Sequence, residues 1–316
     1  MASSAGTDEA PAPRAVSSSG IYWAGPLCAV FGVLGFSFKA ILVKLAYVHG
    51  FVDATTLLAL RMLYSAPLFA AMAWWAGRQP HARPLESRDW IALACLGFIG
   101  YYFSSLLDFI GLQYIGVSLE RLILFIYPTI VVVLSALFLR RPITLRALAA
   151  LVVCYGGIAL AFVHDVRVTG DRSGTLLGGA LVFASAFTYA AYIVGSTRFI
   201  ARLGSLRFVA IAMLMSTAFI LVQFALTRPL AALAAPAPIQ WISIAMALFS
   251  TVLPTWLAAE AIRRLGPNSA SLIGSLGPVF TIGLGVLILD EQVNTLQLIG
   301  AALVLAGVAL VTLKPR

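Results

Sequence analysis

Residues 114–128 read YIGVSLERLILFIYP and residues 264–278 read RLGPNSASLIGSLGP, a gapless match at a spacing of 150 residues. Gly116 and Pro128 fall on Gly266 and Pro278, and further along Gly157 falls on Gly307. Both segments run into an apolar stretch, then a short charged break, Leu139-Arg140-Arg141 against Leu289-Asp290-Glu291, then a Gly/Ala-rich final run. The chain is therefore read as two copies of one unit. Residues 21–165 form the first copy and residues 166–316 the second. The small, polar residues 1–20 are expected to be a disordered cytoplasmic tail.

Outward from that match, composition sets the solvent. Of 316 residues, 61% are apolar and 10% charged, and the mean hydropathy is +0.98. A soluble domain carries about 25% charged residues, so this chain has too few to face water and is solvated by lipid. A span needs about 20 mostly apolar residues. Ten such runs are expected, at 22–47, 53–77, 89–112, 118–139, 144–163, 174–198, 205–227, 238–262, 268–289 and 294–313. Five spans per copy is an odd number, so the second copy enters the membrane from the opposite face. The expected fold is an all-α membrane protein of ten transmembrane helices in two inverted five-helix repeats, an architecture recurrent among secondary transporters.

The basic residues give the orientation. With both termini on one side, fourteen of the 21 Lys and Arg fall in the segments on that side. Arg167, Arg172 and Arg228 fall in the opposite loops, and Lys39, Lys44, Arg61 and Arg121 lie within spans. The bias places both termini in the cytoplasm, with the chain multi-pass in the cytoplasmic (inner) membrane. The net charge of +9 is accounted for by these helix-end residues, so no nucleic-acid partner is expected.

Other chemistries lack their residues. Cys28, Cys95 and Cys154 all sit in apolar runs without paired metal-ligand spacing, so neither metal nor cofactor is expected. His49, His81 and His164 lie in loops or at span ends, and the sequence contains no HExxH or P-loop. An intramembrane enzyme is therefore not expected, nor transport powered by the chain's own ATP hydrolysis. Gly174 and Gly178 form a GxxxG that packs helices either within one bundle or between two, leaving monomer and homodimer open.

These features together resemble the drug/metabolite transporter superfamily, specifically its EamA-type members. The resemblance rests on the Gly-to-Pro pattern entering the fourth and ninth spans, on Asp290-Glu291, on the Gly/Ala-rich last helix and on Ala59-Leu60-Arg61 in the second span. It covers about residues 22–313. In the first copy Arg140-Arg141 stands where the acidic pair is expected, as the cytoplasmic position of that loop requires. The resemblance implies two homologous five-helix halves and transport of a small molecule. Members move amino acids, sugars, sugar phosphates, purines or drug-like molecules, and many are bacterial exporters. The expectation is an exporter of amino acids, organic anions or related compounds working by alternating access. A membrane scaffold or channel-like subunit is the alternative.

The candidate site comes from charges inside the membrane, each of which costs at least ~2.5–3.5 kcal/mol at the bilayer centre unless it meets water or a partner. Lys39, Lys44, Arg61, Asp108, Glu120 and Arg121 form such a group, four positive and two negative. The surplus suits an anionic group, and the planar fork of Arg61 matches a carboxylate bidentately. Adjacent Glu120 and Arg121 point about 100° apart and are not expected to pair. Tyr101, Ser104, Ser105 and Asp108 share one face of the third span. Ser185, Thr188, Tyr189, Tyr192 and Ser196 cluster on the sixth. Asn268, Ser271, Ser275 and Pro278 do so on the ninth, and Glu120 shares a face with Tyr127 on the fourth. The substrate-binding set is Lys39, Arg61, Tyr101, Ser105, Asp108, Glu120, Arg121, Tyr127, Tyr189 and Ser275. Pro128 and Pro278, at matched positions, are expected to break or gate their helices.

Overall fold

The computed structural model describes residues 19–50, 52–79, 84–139, 145–274 and 276–312. Every regular element among them is a helix, as lipid demands, because a helix satisfies its backbone polar groups within one segment. The first set comprises α1 (Ser19–His49), α2 (Ala54–Gly77), α3 (Ser87–Gly97), α4 (Ser104–Gly111), α5 (Val117–Leu124), α6 (Tyr127–Leu139) and α7 (Leu145–Thr169). The second comprises α8 (Arg172–Leu203), α9 (Ser205–Thr227), α10 (Ala237–Ala247), α11 (Leu253–Gly274), α12 (Gly277–Leu289) and α13 (Thr295–Thr312). A π-helical turn, Phe98–Phe103, fuses α3 to α4, and another, Leu248–Val252, fuses α10 to α11.

Among the described residues eight helices are long and apolar enough to cross a membrane: Trp23–His49, Ala54–Gly77, Ser87–Gly111, Val117–Phe138, Leu148–Arg167, Arg172–Leu203, Ser205–Thr227 and Ala237–Leu265. The protein is a multi-pass membrane protein. Gly277–Leu289 and Thr295–Leu310 are apolar but shorter. The ninth expected span is short because α11 runs on to Gly274 where a loop was expected after residue 262. Glu260 accepts hydrogen bonds from Arg263 at 2.5–2.7 Å and from Arg264 at 2.6 Å. Such i,i+3 and i,i+4 pairs favour continuing the helix.

Element boundaries recur at the spacing seen in the sequence. Ser87 and Ala237 open α3 and α10, Tyr127 and Gly277 open α6 and α12, and Leu145 and Thr295 open α7 and α13, each pair 150 residues apart. Packing follows the same rule: α1 lies against α11 and α12, while its counterpart α8 lies against α4 and α6. The remaining principal pairs, α2 with α9 and α7 with α13, join counterparts directly.

The α7–α13 pair is a close, antiparallel contact. A Cβ added at Gly157 would lie 2.5 Å from the Gly300 carbonyl oxygen, and one at Gly307 would lie 2.9 Å from that of Ala150. Positions fall along α7 as they rise along α13, so the counterparts run in opposite directions. Without lipid-excluded area to drive association, such backbone proximity holds membrane helices together. Gly157→Ala is expected to destabilise by ~1–3 kcal/mol, because the backbone opposite must move. Gly156→Ala has nothing within 4 Å to meet and should be neutral or slightly stabilising. Thermal unfolding in detergent separates the two, and equal midpoints would refute the contact. The GxxxG also packs within the chain: a Cβ on Gly178 would meet Ile115, Tyr114 and the Gly111 carbonyl at 2.8–3.0 Å.

Helix starts and ends use local chemistry. Asp53 Oδ1 accepts from the Thr55 and Thr56 amides at 3.0 and 3.1 Å, and Oδ2 accepts from the Thr56 hydroxyl at 2.7 Å, capping α2. Gly204, at φ 80°, turns the chain between α8 and α9 in a conformation other residues resist. Arg228, ahead of α10, lies 3.1 Å from Asp53 and ties the two halves. Burial alone would raise the Asp53 carboxyl, but the Thr56 bonds and the Arg228 guanidinium outweigh it and hold it below the usual carboxylate range. A carboxyl held low stabilises the fold above its unfolded value of about 3.9 and loses that contribution as pH falls through its folded value. Asp53→Ala should therefore cost about 1 kcal/mol of cap at pH 7. The gap in thermal midpoint from wild type should narrow towards about pH 3; a gap independent of pH would rule out the ionised cap.

Candidate substrate cavity

Between α1, α2, α4, α5, α8 and α11 lies a cavity of about 500 Å³, within the ~300–1,000 Å³ typical of small-molecule sites. On α1 its lining runs from Ala29 to Lys39, and on α11 it reaches Ala261 and Ile262. A more open depression of about 560 Å³ near Lys44, Tyr47 and Gln113 lies on the other side of Lys39 along α1, with Asp53 at its edge. Its charged groups are partly exposed. The inner cavity is the candidate site because the buried charges meet there.

Lys39 Nζ lies 2.6 Å from Asp108 Oδ2 and 3.9 Å from Glu120 Oε1, so one ammonium serves two carboxylates. Asp108 is 1% exposed and Glu120 0%. Among the described residues, neither Glu120 oxygen accepts a hydrogen bond, nor does Asp108 Oδ1. Arg121 Nε stands 4.0 Å from Glu120 Oε2, at the limit of ion pairing. Its Nη2 donates to the Phe36 carbonyl at 2.9 Å, in line with the 100° divergence of adjacent helix positions. Arg61 differs from all of these. It is 4% exposed, donates to Ser105 Oγ at 3.3 Å and stands over the Phe109 ring at 4.9 Å. Among the described residues no carboxylate lies within 4.0 Å of it, and its Nε has no hydrogen-bond partner. The guanidinium borders the cavity. Lys39, Arg61 and Arg121 against Asp108 and Glu120 leave one positive charge in surplus.

The opposite wall is aromatic. Ring centroids step from Phe125 to Tyr127 (6.3 Å), to Tyr189 (5.3 Å), to Tyr192 (5.7 Å) and to Tyr101 (4.9 Å). The Tyr192 hydroxyl donates to that of Tyr101 at 3.0 Å. Gly100 makes room for this, since a Cβ there would run into the Tyr192 ring. Ser104 and Ser185 bond reciprocally, each hydroxyl to the other's carbonyl, at 3.2 and 2.8 Å.

Pro128 and Pro278 stand second in α6 and α12. Pro128 follows the Phe125–Ile126 turn, and Pro278 follows a turn at Leu276. Proline suits a first helical turn, whose amides lack partners anyway. At the start of α12 the Gly277 carbonyl also accepts from Ser37 Oγ on α1 at 3.2 Å.

The structure thus gathers Lys39, Arg61, Tyr101, Ser105, Asp108, Arg121, Tyr127 and Tyr189 on the cavity, with Glu120 directly behind Lys39. Ser275 lies outside the described residues. Sequence analysis missed Ser37, Ser250, Thr251 and Thr255, which also line it. The repeat holds the signal for three of them: Gly100, Tyr101 and Ser105 fall on Ser250, Thr251 and Thr255 at the same 150-residue spacing. Lys39, likewise, falls on Tyr189, Asp108 on Ala258 and Tyr127 on Gly277, all at the cavity. The lining is two-fold in position and one-sided in charge.

The EamA-like transporter family model matches this chain twice, over residues 23–163 and 176–313. The chain belongs to the EamA-like transporter family. The two matches fall either side of the α7–α8 link. Among EamA relatives, the Uncharacterized transporter YcbK of Bacillus subtilis is 28% identical over 288 residues, covering 88% of this chain and 89% of that protein. An uncharacterized transporter of Synechocystis is 26% identical over 321 residues, covering 90% and 92%. A solved structure titled "Crystal structure of protein" shares the fold, with a TM-score of 0.62 at 20% identity over 91% of this chain and 97% of that one.

Proposed function

We propose that this EamA-family protein is a secondary transporter that carries small carboxylate-bearing metabolites, amino acids and organic anions among them, across the cytoplasmic membrane. It works by alternating access between two inverted five-helix halves, residues 21–165 and 166–316, which together make ten spans with cytoplasmic termini. The observation that carries this reading is Arg61, a buried guanidinium with no carboxylate within 4.0 Å among the described residues, facing a cavity with surplus positive charge. A bare buried cation is costly, and a substrate carboxylate is the partner that makes it tolerable. The antiparallel run of α7 and α13 supports the inversion. Exposed Trp23, Trp74, Trp75 and Trp90 suit the cytoplasmic interface, where indoles prefer to sit. The cavity extends towards that same face, the side from which an exporter loads.

Comparative metabolomics of the growth medium tests this. Cells expressing the protein should raise one class of carboxylate-bearing metabolite outside, relative to cells with an empty vector. An unchanged medium, followed by absence of uptake or exchange of those metabolites in proteoliposomes, would favour a scaffold or channel-like subunit.

A further inference from the structure

We propose that Glu291 is a latch between the two halves, positioning α5 and keeping the far end of the cavity shut, and that its release opens the alternate state. The inference rests on the alternating-access reading and names the contact on which it turns.

Helix α5 cannot cap itself. Its N-cap position is Gly116, which has no side chain to offer, so the first amides of the helix need partners from elsewhere. The second half supplies them. Glu291 Oε1 accepts from the Val117 amide at 2.6 Å, and Oε2 accepts from the Ser118 amide at 3.2 Å and the Ser118 hydroxyl at 2.6 Å. A carboxylate at a helix N-terminus also meets the positive end of the dipole. Gly116 must be glycine for this approach, since a Cβ there would lie 2.9 Å from Glu291 Oε1. Beside it, Asp165 Oδ2 accepts from the Gly116 amide at 3.2 Å, and His164 Nε2 lies 2.8 Å from the Gln292 carbonyl oxygen. The end of α7, the start of α5 and the α12–α13 link are thereby joined at one face.

That face lies beyond the cavity. The lining along α1 stops at Lys39, and the next ammonium, Lys44, acts electrostatically on Glu291 and Asp165. Helix α5 is only eight residues long and is separated from α6 by the Phe125–Ile126 turn, so it is held at one end by the latch and free to pivot at the other. It carries Glu120 and Arg121, and Leu124 and Phe125 at its far end line the cavity. Movement at Glu291 is therefore transmitted to the buried charges. The bonds are polar and few, so water can replace them when the face opens.

Accessibility of an introduced thiol to a membrane-impermeant maleimide tests the latch without knowledge of the substrate. In a background with Cys28, Cys95 and Cys154 replaced by serine, Thr281→Cys reports on the latch side, since Thr281 is 0% exposed on α12. Ala270→Cys reports on the opposite end of the cavity, which Ala270 lines. Glu291→Ala removes all three bonds and should speed labelling at position 281 from the Glu291 face by at least about tenfold, since one charge-assisted hydrogen bond alone is worth about that much. It should slow labelling at position 270 from the other face. Ser118→Ala, which removes one bond and leaves the carboxylate, should shift both in the same directions by less, and Asp290→Asn should shift neither. Reporters that stay unchanged, or that both accelerate as in general loosening, would overturn the latch. If Glu291→Ala does not reach the membrane, Ser118→Ala and Glu291→Gln decide by the same criterion. A latch response in a protein that moves no carboxylate would count against the substrate reading alone.

Discussion

Arg61→Ala is expected to lose about a hundredfold or more in transport of the carboxylate-bearing substrate, with folding little affected. Among the described residues the guanidinium has no ion partner to abandon, so truncating it removes a buried charge rather than stranding one. The loss falls on the bound substrate, whose carboxylate forfeits up to two charge-assisted hydrogen bonds of ~1.5–3 kcal/mol each. At 1.4 kcal/mol per factor of ten, even one such bond weakens binding by about tenfold to a hundredfold. Arg61→Lys should recover only part, because an ammonium keeps the charge and loses the fork. Uptake into proteoliposomes across a range of substrate concentrations checks this. Wild-type kinetics in the alanine variant would remove Arg61 from the path.

Lys39→Met is expected to act on the fold instead. One ammonium stands between Asp108 and Glu120, both almost wholly out of reach of water. Removing it leaves two buried carboxylates short of their counter-charge, and breaking such a pair costs ~3–5 kcal/mol. The thermal midpoint in detergent should fall well below that of Arg61→Ala, and membrane yield should fall with it. The double variant Lys39→Met/Asp108→Asn should regain much of the loss, since an amide tolerates burial without a cation. A single variant as stable as wild type would mean that the carboxylates are neutralised by something other than Lys39.

Much of this architecture was legible because lipid enforces simple rules. Apolar runs marked the helices, and the 150-residue repeat foretold which helix boundaries recur. The continuation of α11 across residues 263–267 was hidden because Arg263-Arg264-Leu265-Gly266-Pro267 reads as a loop, while two pairings to Glu260 favour its helical start. Charges within spans pointed to Lys39, Arg61 and Asp108, because few residue types are tolerated there without a reason. Ser250, Thr251 and Thr255 were missed because hydroxyls are common in membrane helices, and only projecting the first half's cavity face onto the second singles them out. Glu291 was read only as part of the charged break after the ninth span and of the family resemblance, with no partner assigned to it. Its bonds reach residues 173 and 174 positions away, a separation that no local pattern encodes.

The one-sided charge of the cavity has a consequence for how this lineage can change what it carries. Among the described residues the cavity's buried ions all sit in the first half, and altering Lys39, Asp108 or Glu120 strands another. Their counterparts at Tyr189, Ile211, Ala258 and Ala270 are neutral, so exchanging neutral side chains there disturbs no ion pair. The duplication thus yields an ionic grip in one half and a neutral, adaptable pocket wall in the other. Variation among relatives that handle different compounds should collect on Thr251, Thr255, Ala258 and their neighbours, with the ionic grip inherited intact.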